Sequence, residues 1–131
     1  MSDEKTYYER VGGADQVRAL VDRFYDLMDA LPEAKELRAV HPRDLTSARE
    51  KLTMFLSGWL GGPNLYIEKF GHPRLRARHM PFPIAARERD QWMLCMTKAL
   101  EQSALDDGAR AKLVEGLHKL ADHMRNQPGD L

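Results

Sequence analysis

The amino-acid sequence predicts an all-α protein, a single domain over residues 1–131. Three observations carry that reading. Apolar residues recur at i, i+3, i+4 in several long stretches, the period of a helix with one buried face. No alternation of apolar and polar residues runs beyond a few positions, so no strand pattern competes. A chain of 131 residues can bury one real core but not two.

The elements follow in order. Gly12-Gly13 separates a short N-terminal segment from a first long helix, whose stripe is Val17, Leu20, Val21, Phe24, Tyr25 and Met28. Pro32 ends or redirects that helix, and a short helical piece over about 33–39 leads to His41-Pro42. Ser47-Ala48-Arg49-Glu50 has the S-x-x-E form of a capping box, so the next helix is expected to start there. Its face carries Leu45, Ala48, Leu52, Phe55, Leu56 and Trp59, and Gly61-Gly62-Pro63 stops it. Residues 64–73 show little periodicity and read as a connector, shaped by His72-Pro73. A short helix bearing His79 follows. Two long helices close the chain. One spans about 86–103 with Trp92, Met96, Ala99 and Leu100 inside. The other starts near Asp106-Asp107, whose charge suits a helix N-terminus, and carries Leu113, Val114, Leu117, Leu120, Ala121 and Met124. Pro128-Gly129-Asp130 reads as a frayed end.

Composition excludes several functions. Lys+Arg and Asp+Glu number 20 each, a net charge of zero, so nothing predicts attraction to nucleic acid or an anionic membrane. The start Met1-Ser2-Asp3-Glu4-Lys5 has no apolar signal core, and no apolar run is long enough to span a bilayer. The single cysteine, Cys95, cannot form an internal disulfide; it reads as a small core residue, and its company suits a reducing cytoplasm. One cysteine also excludes an iron–sulfur cluster held by this chain alone, and no C-x-x-C-H offers covalent haem attachment.

The segment Leu75-Arg76-Ala77-Arg78-His79-Met80-Pro81-Phe82-Pro83-Ile84 carries the most chemistry. Pro81 lacks an N–H and disfavours helix at Met80, so the helix should stop beside His79. A last-turn carbonyl such as that of Leu75 has no intrahelical partner and can accept the His79 Nδ1–H. That bond would fix the tautomer and leave Nε2 for a metal. Arg76 and Arg78 suit a partner with carboxylates, and Met80, Phe82 and Ile84 suit one with an apolar face. A haem offers iron, a flat apolar ring and two propionates. Blander readings stand beside these. His79 can be a helix cap, Tyr25 a core tyrosine bonded to backbone, Trp92 core bulk, His41 a turn residue and Lys51 a side chain snorkelling over an edge.

The ordered set of motifs resembles a known family. Phe24-Tyr25, His41-Pro42-Arg43-Asp44-Leu45, Gly61-Gly62-Pro63, Leu65-Tyr66, Gly71-His72-Pro73, the 75–84 segment, and Trp92 thirteen residues beyond His79 are similar to those of group II truncated haemoglobins. The resemblance runs from about Tyr7 to His123 and implies a two-over-two helical sandwich around a non-covalent haem b. It implies His79 as iron ligand and Tyr25, His41 and Trp92 as distal residues facing the ligand. His41 matches a position where ordinary globins carry phenylalanine and group II members vary. Ala48 and Leu52 match positions where other globins often carry histidine or glutamine, and neither can donate a hydrogen bond. Lys51, Arg76 and Arg78 match basic positions near the propionates. Arg76 and Arg78 are two apart on a helix and do not face the same way, so Arg78 is the first choice and Arg76 suits a surface ion pair. Phe55, Tyr66, Met80, Phe82 and Ile84 are expected in the haem walls.

The expected function is tight binding of oxygen or another diatomic ligand. Each hydrogen bond to it in a dry pocket contributes about 1–1.5 kcal/mol and slows release roughly tenfold. Two other classes stay open at this point. One is a haem enzyme with peroxidase-like or nitric-oxide-consuming turnover, served by a separate reductase because the chain carries no flavin or nicotinamide motif. The other is a haem-free helical interaction module. A monomer and a homodimer are equally compatible with the sequence.

Overall fold

The computed structural model describes residues 5–80 and 82–126, the side chains of Arg76 and Arg78 excepted. All its regular structure is helical: α1 Tyr7–Val11, α2 Ala14–Ala30, a 3-10 turn Pro32–Ala34, α3 Lys35–Ala39, α4 Thr46–Trp59, α5 Leu65–Phe70, α6 Leu75–His79, α7 Ala86–Glu101 and α8 Asp107–His123. The expected loose end at Pro128-Gly129-Asp130, and Pro81, lie outside the described residues.

Local chemistry sets the boundaries. Thr6 Oγ1 accepts the Glu9 N–H at 3.1 Å while Glu9 Oε1 accepts the Thr6 N–H at 2.9 Å, a reciprocal cap that starts α1. Gly12 ends it at φ 115°, a left-handed conformation that favours glycine, and an added Cβ would meet Gln16 Cγ at 2.5 Å. Asp106 Oδ1 caps α8 by accepting the Ala109 N–H at 2.8 Å.

Two helix pairs build the core. α2 packs on α4, α7 packs on α8, and α2 lies against α7 across the middle. The α2 stripe Val17, Leu20, Val21, Phe24, Tyr25 and Met28 is buried, as its spacing predicts. α7 contributes Met93, Cys95, Met96, Ala99 and Leu100, and α8 contributes Ala109, Leu113, Leu117 and Ala121. α4 and α8 approach closely at Gly116, where an added Cβ would lie 3.2 Å from the Trp59 ring.

Four expectations need correction. Ser47 does not cap α4. The helix starts one residue earlier with Leu45 at the cap position, and Asp44 Oδ1 accepts the Thr46 N–H at 2.9 Å instead. The connector 64–73 contains a helix, α5, whose apolar residues Leu65, Ile67 and Phe70 are exposed, which is why it left no inward stripe in the sequence. Trp59, expected inside, is 36% exposed. Leu120 is only half-buried, while Ala109 takes a core place that the sequence pattern did not assign. Among the described residues no helix is long and apolar enough to cross a membrane.

Candidate haem site

His79 closes α6, and its Nδ1 lies 2.6 Å from the Leu75 carbonyl oxygen. A carbonyl only accepts, so Nδ1 donates, and Nε2 is the ring nitrogen left open. Histidine ligands need this arrangement, with the far nitrogen anchored and the near one open. Among the described residues no three His, Cys, Asp or Glu side chains converge on a metal-sized space. The donor chemistry therefore suits a metal that brings its other ligands with it.

His41 is built the same way. Its Nδ1 lies 2.9 Å from the Leu37 carbonyl oxygen at the end of α3. Burial lowers the His41 pKa below 6.5, with the Leu37 bond opposing and the charges of Arg38 and His79 adding to the fall. The ring is thus neutral near pH 7, and its Nε2 is an acceptor rather than a donor. The Tyr25 ring stands edge-on to it, centroids 5.9 Å apart. Burial pushes the Tyr25 phenol well above its ordinary value against the pull of the Arg49 charge, so the hydroxyl keeps its proton. Phe24 is wholly buried and links the group, 4.9 Å from Tyr25 and 5.1 Å from Trp92 between ring centroids. Among the described residues, neither the Tyr25 hydroxyl nor Trp92 Nε1 donates a hydrogen bond to protein.

The apolar residues form an unfinished wall. Ala48, Leu52 and Phe55 share one stripe of α4, and with Trp92 they pack on the core yet stay half-buried. Met80 is 53% and Phe82 42% exposed. Ile84 is half-buried. These surfaces and the open Nε2 of His79 fit a flat apolar ring bearing a metal. Tyr66 is buried on α5, its ring 4.9 Å from that of Phe70. It faces a cavity of about 210 Å³ shared with Met54, Phe55, Trp59, Ile67 and Pro73. Lys51 is exposed, its Nζ 5.8 Å from the Phe70 ring centroid. The expectation for Arg76 and Arg78 rests on side chains outside the described residues.

Several residues that position this site carried no motif. Arg49 reaches from α4 to α2, donating to Asp22 Oδ1 at 3.1 Å and Asp26 Oδ1 at 2.8 Å, with its guanidinium 5.7 Å from the Tyr25 ring centroid. Arg38 donates to the Pro42 and Arg43 carbonyls, both at 2.9 Å, and so fixes the loop behind His41. Gln91 of α7 accepts the Leu37 N–H at 2.9 Å and donates to Glu36 at 2.8 Å. Asn126 binds the segment after His79, as described below. A paired charge at helical spacing, Asp22 and Asp26, was the only sequence signal for any of these. Cys95 is fully buried, and burial pushes its thiol up to about 11, as an inert core residue requires.

This helical sandwich with one anchored, open histidine has the architecture of a globin. The bacterial-like globin family model matches residues 6–126. The group 2 truncated hemoglobin YjbI of Bacillus subtilis is 42% identical over 120 residues, covering 92% of this chain and 88% of that protein. A group II 2-on-2 hemoglobin from Agrobacterium tumefaciens superposes with a TM-score of 0.92 at 47% identity, covering 96% of this chain and 98% of the other. A truncated oxygen-avid haemoglobin from Bacillus subtilis gives a TM-score of 0.84 at 40% identity, covering 93% of this chain and all of the other. The chain belongs to the bacterial-like globin family, among the group II truncated haemoglobins, a family of haem proteins that bind small gases.

Proposed function

We propose that this chain binds oxygen, or another small diatomic ligand, tightly at a non-covalent haem b ligated by His79. The contact of His79 Nδ1 with the Leu75 oxygen at 2.6 Å carries the reading, because it leaves Nε2 as the nitrogen open to iron. The haem supplies the iron at which such a ligand binds. The chain does the rest. Leu75 fixes the tautomer of His79. Ala48, Leu52, Phe55, Met80, Phe82 and Ile84 cover the ring and exclude water. The reading assigns Arg78 first, with Arg76 and Lys51, to the haem carboxylates. The Tyr25 hydroxyl and Trp92 Nε1–H are the two donors for the distal ligand, and neither spends its proton on a protein acceptor. The His41 Nε2 of the neutral ring can only accept, so it adds no third donor to the site. Two donors in a site dried by Phe24 and Trp92 favour retention over rapid delivery. Support also comes from the oxygen-avid relative of Bacillus subtilis. The same reading takes residues 1–131 as one domain whose reductant is a separate protein.

The test is hemin titration of the purified chain, followed by absorption spectra of the ferric and ferrous forms. Wild type should take up one equivalent with a histidine-ligated spectrum. His79→Ala should lose the haem or hold it loosely. An unchanged five-coordinate ferrous spectrum in His79→Ala would assign the iron to another side chain and end the reading.

A further inference from the structure

We propose that Asn126 is a positioning residue for His79, a clamp from the end of α8 that fixes the imidazole's backbone; the inference rests on His79 as the iron ligand. Three residues past α8, one asparagine makes four contacts to the segment between α6 and α7. Its Nδ2 donates to the His79 carbonyl at 3.1 Å and to the Phe82 carbonyl at 2.9 Å. Its Oδ1 accepts the Ile84 N–H at 3.0 Å. Its own N–H donates to the Ile84 carbonyl at 2.8 Å. The His79 carbonyl also accepts the Phe82 N–H at 3.0 Å, so the turn after the histidine is closed from two sides.

The need for such a clamp follows from the length of α6. Five residues form little more than one turn, and a helix that short does not hold itself in water. Its terminal carbonyls have no helical partner. The bond from His79 to Leu75 orients the ring relative to the turn, and a second contact is needed to orient the turn relative to the core. Asn126 supplies that reference. It follows α8, which packs on α7. Asp122, one turn earlier, accepts from Arg89 of α7 at 2.6 Å, which fixes the end of α8 to the start of α7. The amide is the right group because the segment offers two carbonyls and one N–H, and only Asn or Gln presents two donors and an acceptor on one plane.

The experiment compares Asn126→Ala and the near-isosteric Asn126→Asp with wild type. Asn126→Asp keeps the acceptor for Ile84 but sets an anionic oxygen against the His79 and Phe82 carbonyls. Without haem, the Ile84 amide should exchange about tenfold faster in Asn126→Ala, matching the loss of one hydrogen bond, and near the wild-type rate in Asn126→Asp. With haem, both variants should lose hemin to an excess of scavenger apoprotein about tenfold faster. Their ferrous iron–histidine stretching band should shift or broaden, a change that general loosening elsewhere would not cause. If Asn126→Ala fails to fold, Asn126→Asp decides alone. A wild-type band position and haem-loss rate in the folded variants overturn this proposal while leaving His79 as ligand. A band that survives in His79→Ala overturns both.

Discussion

Tyr25 keeps its proton because it is buried, and the Trp92 indole N–H is a donor only. The Tyr25 phenol is buried and raised well above its ordinary value, and the Arg49 guanidinium over its ring does not reverse that. It is therefore a donor at every pH the protein tolerates. Tyr25→Phe removes one oxygen and keeps the ring, whereas Trp92→Phe removes the Nε1–H together with part of the ring bulk. Tyr25→Phe and Trp92→Phe should each speed oxygen release about tenfold, the loss of one hydrogen bond of about 1–1.5 kcal/mol. Stopped-flow displacement of oxygen measures this directly. Equal rates in wild type and both variants would remove the donor argument. His41 differs from its two neighbours, since its Nδ1 is committed to Leu37 and its neutral ring can only accept on the distal side.

At the scale of elements, the caps decide which helix starts matter. Thr6 has a working cap and Ser47 does not. Thr6→Ala should cost about 1 kcal/mol in denaturant unfolding, while Ser47→Ala should stay within about 0.5 kcal/mol. Comparable losses at both positions would put the α4 start back at Ser47. The Ser47 case shows what a sequence can and cannot say. The S-x-x-E spacing was present, yet Asp44 two residues upstream of Thr46 turned the chain first. Long stripes such as Val17 to Met28 were legible because burial repeats every turn. The His79–Leu75 bond was legible because Pro81 limits where a helix can end. α5 was not, because six residues with Leu65, Ile67 and Phe70 exposed and only Tyr66 buried leave no period to read. Arg38, Arg49 and Asn126 were not, because their side-chain hydrogen bonds leave no repeating pattern in the chain. Asn126 and His79 stand 47 residues apart.

For the whole molecule, the shifted groups add up to a pH profile. The His41 pKa falls below 6.5 in the fold, chiefly through burial, with Arg38 of α3 and His79 of α6 as the charges facing it and neutral Tyr25 of α2 beside it. As pH drops through that window the unfolded chain takes up a proton before the native one, so the native state loses stability. Asp44, Asp106 and Asp122 fall below 3.8, and Glu36 below 4.5, each chiefly through a hydrogen bond to its charged form. Their contribution is full above those values and is lost at lower pH, the same sign in a more acid range. Cys95 moves the other way, from 9.0 to about 11 through burial, so its contribution is full below 9.0 and is lost as pH rises towards 11. The melting temperature of the chain, measured without haem so that no ligand equilibrium enters, should be flat between pH 6.5 and 9.0 and fall on both sides. The acid side should fall in two stages. His41→Phe should abolish the first, just under pH 6.5, and leave the carboxylate stage in place. A wild-type profile that slopes between pH 7 and 8, or a first stage that persists in His41→Phe, would show that the buried imidazole is not the group that sets the acid shoulder.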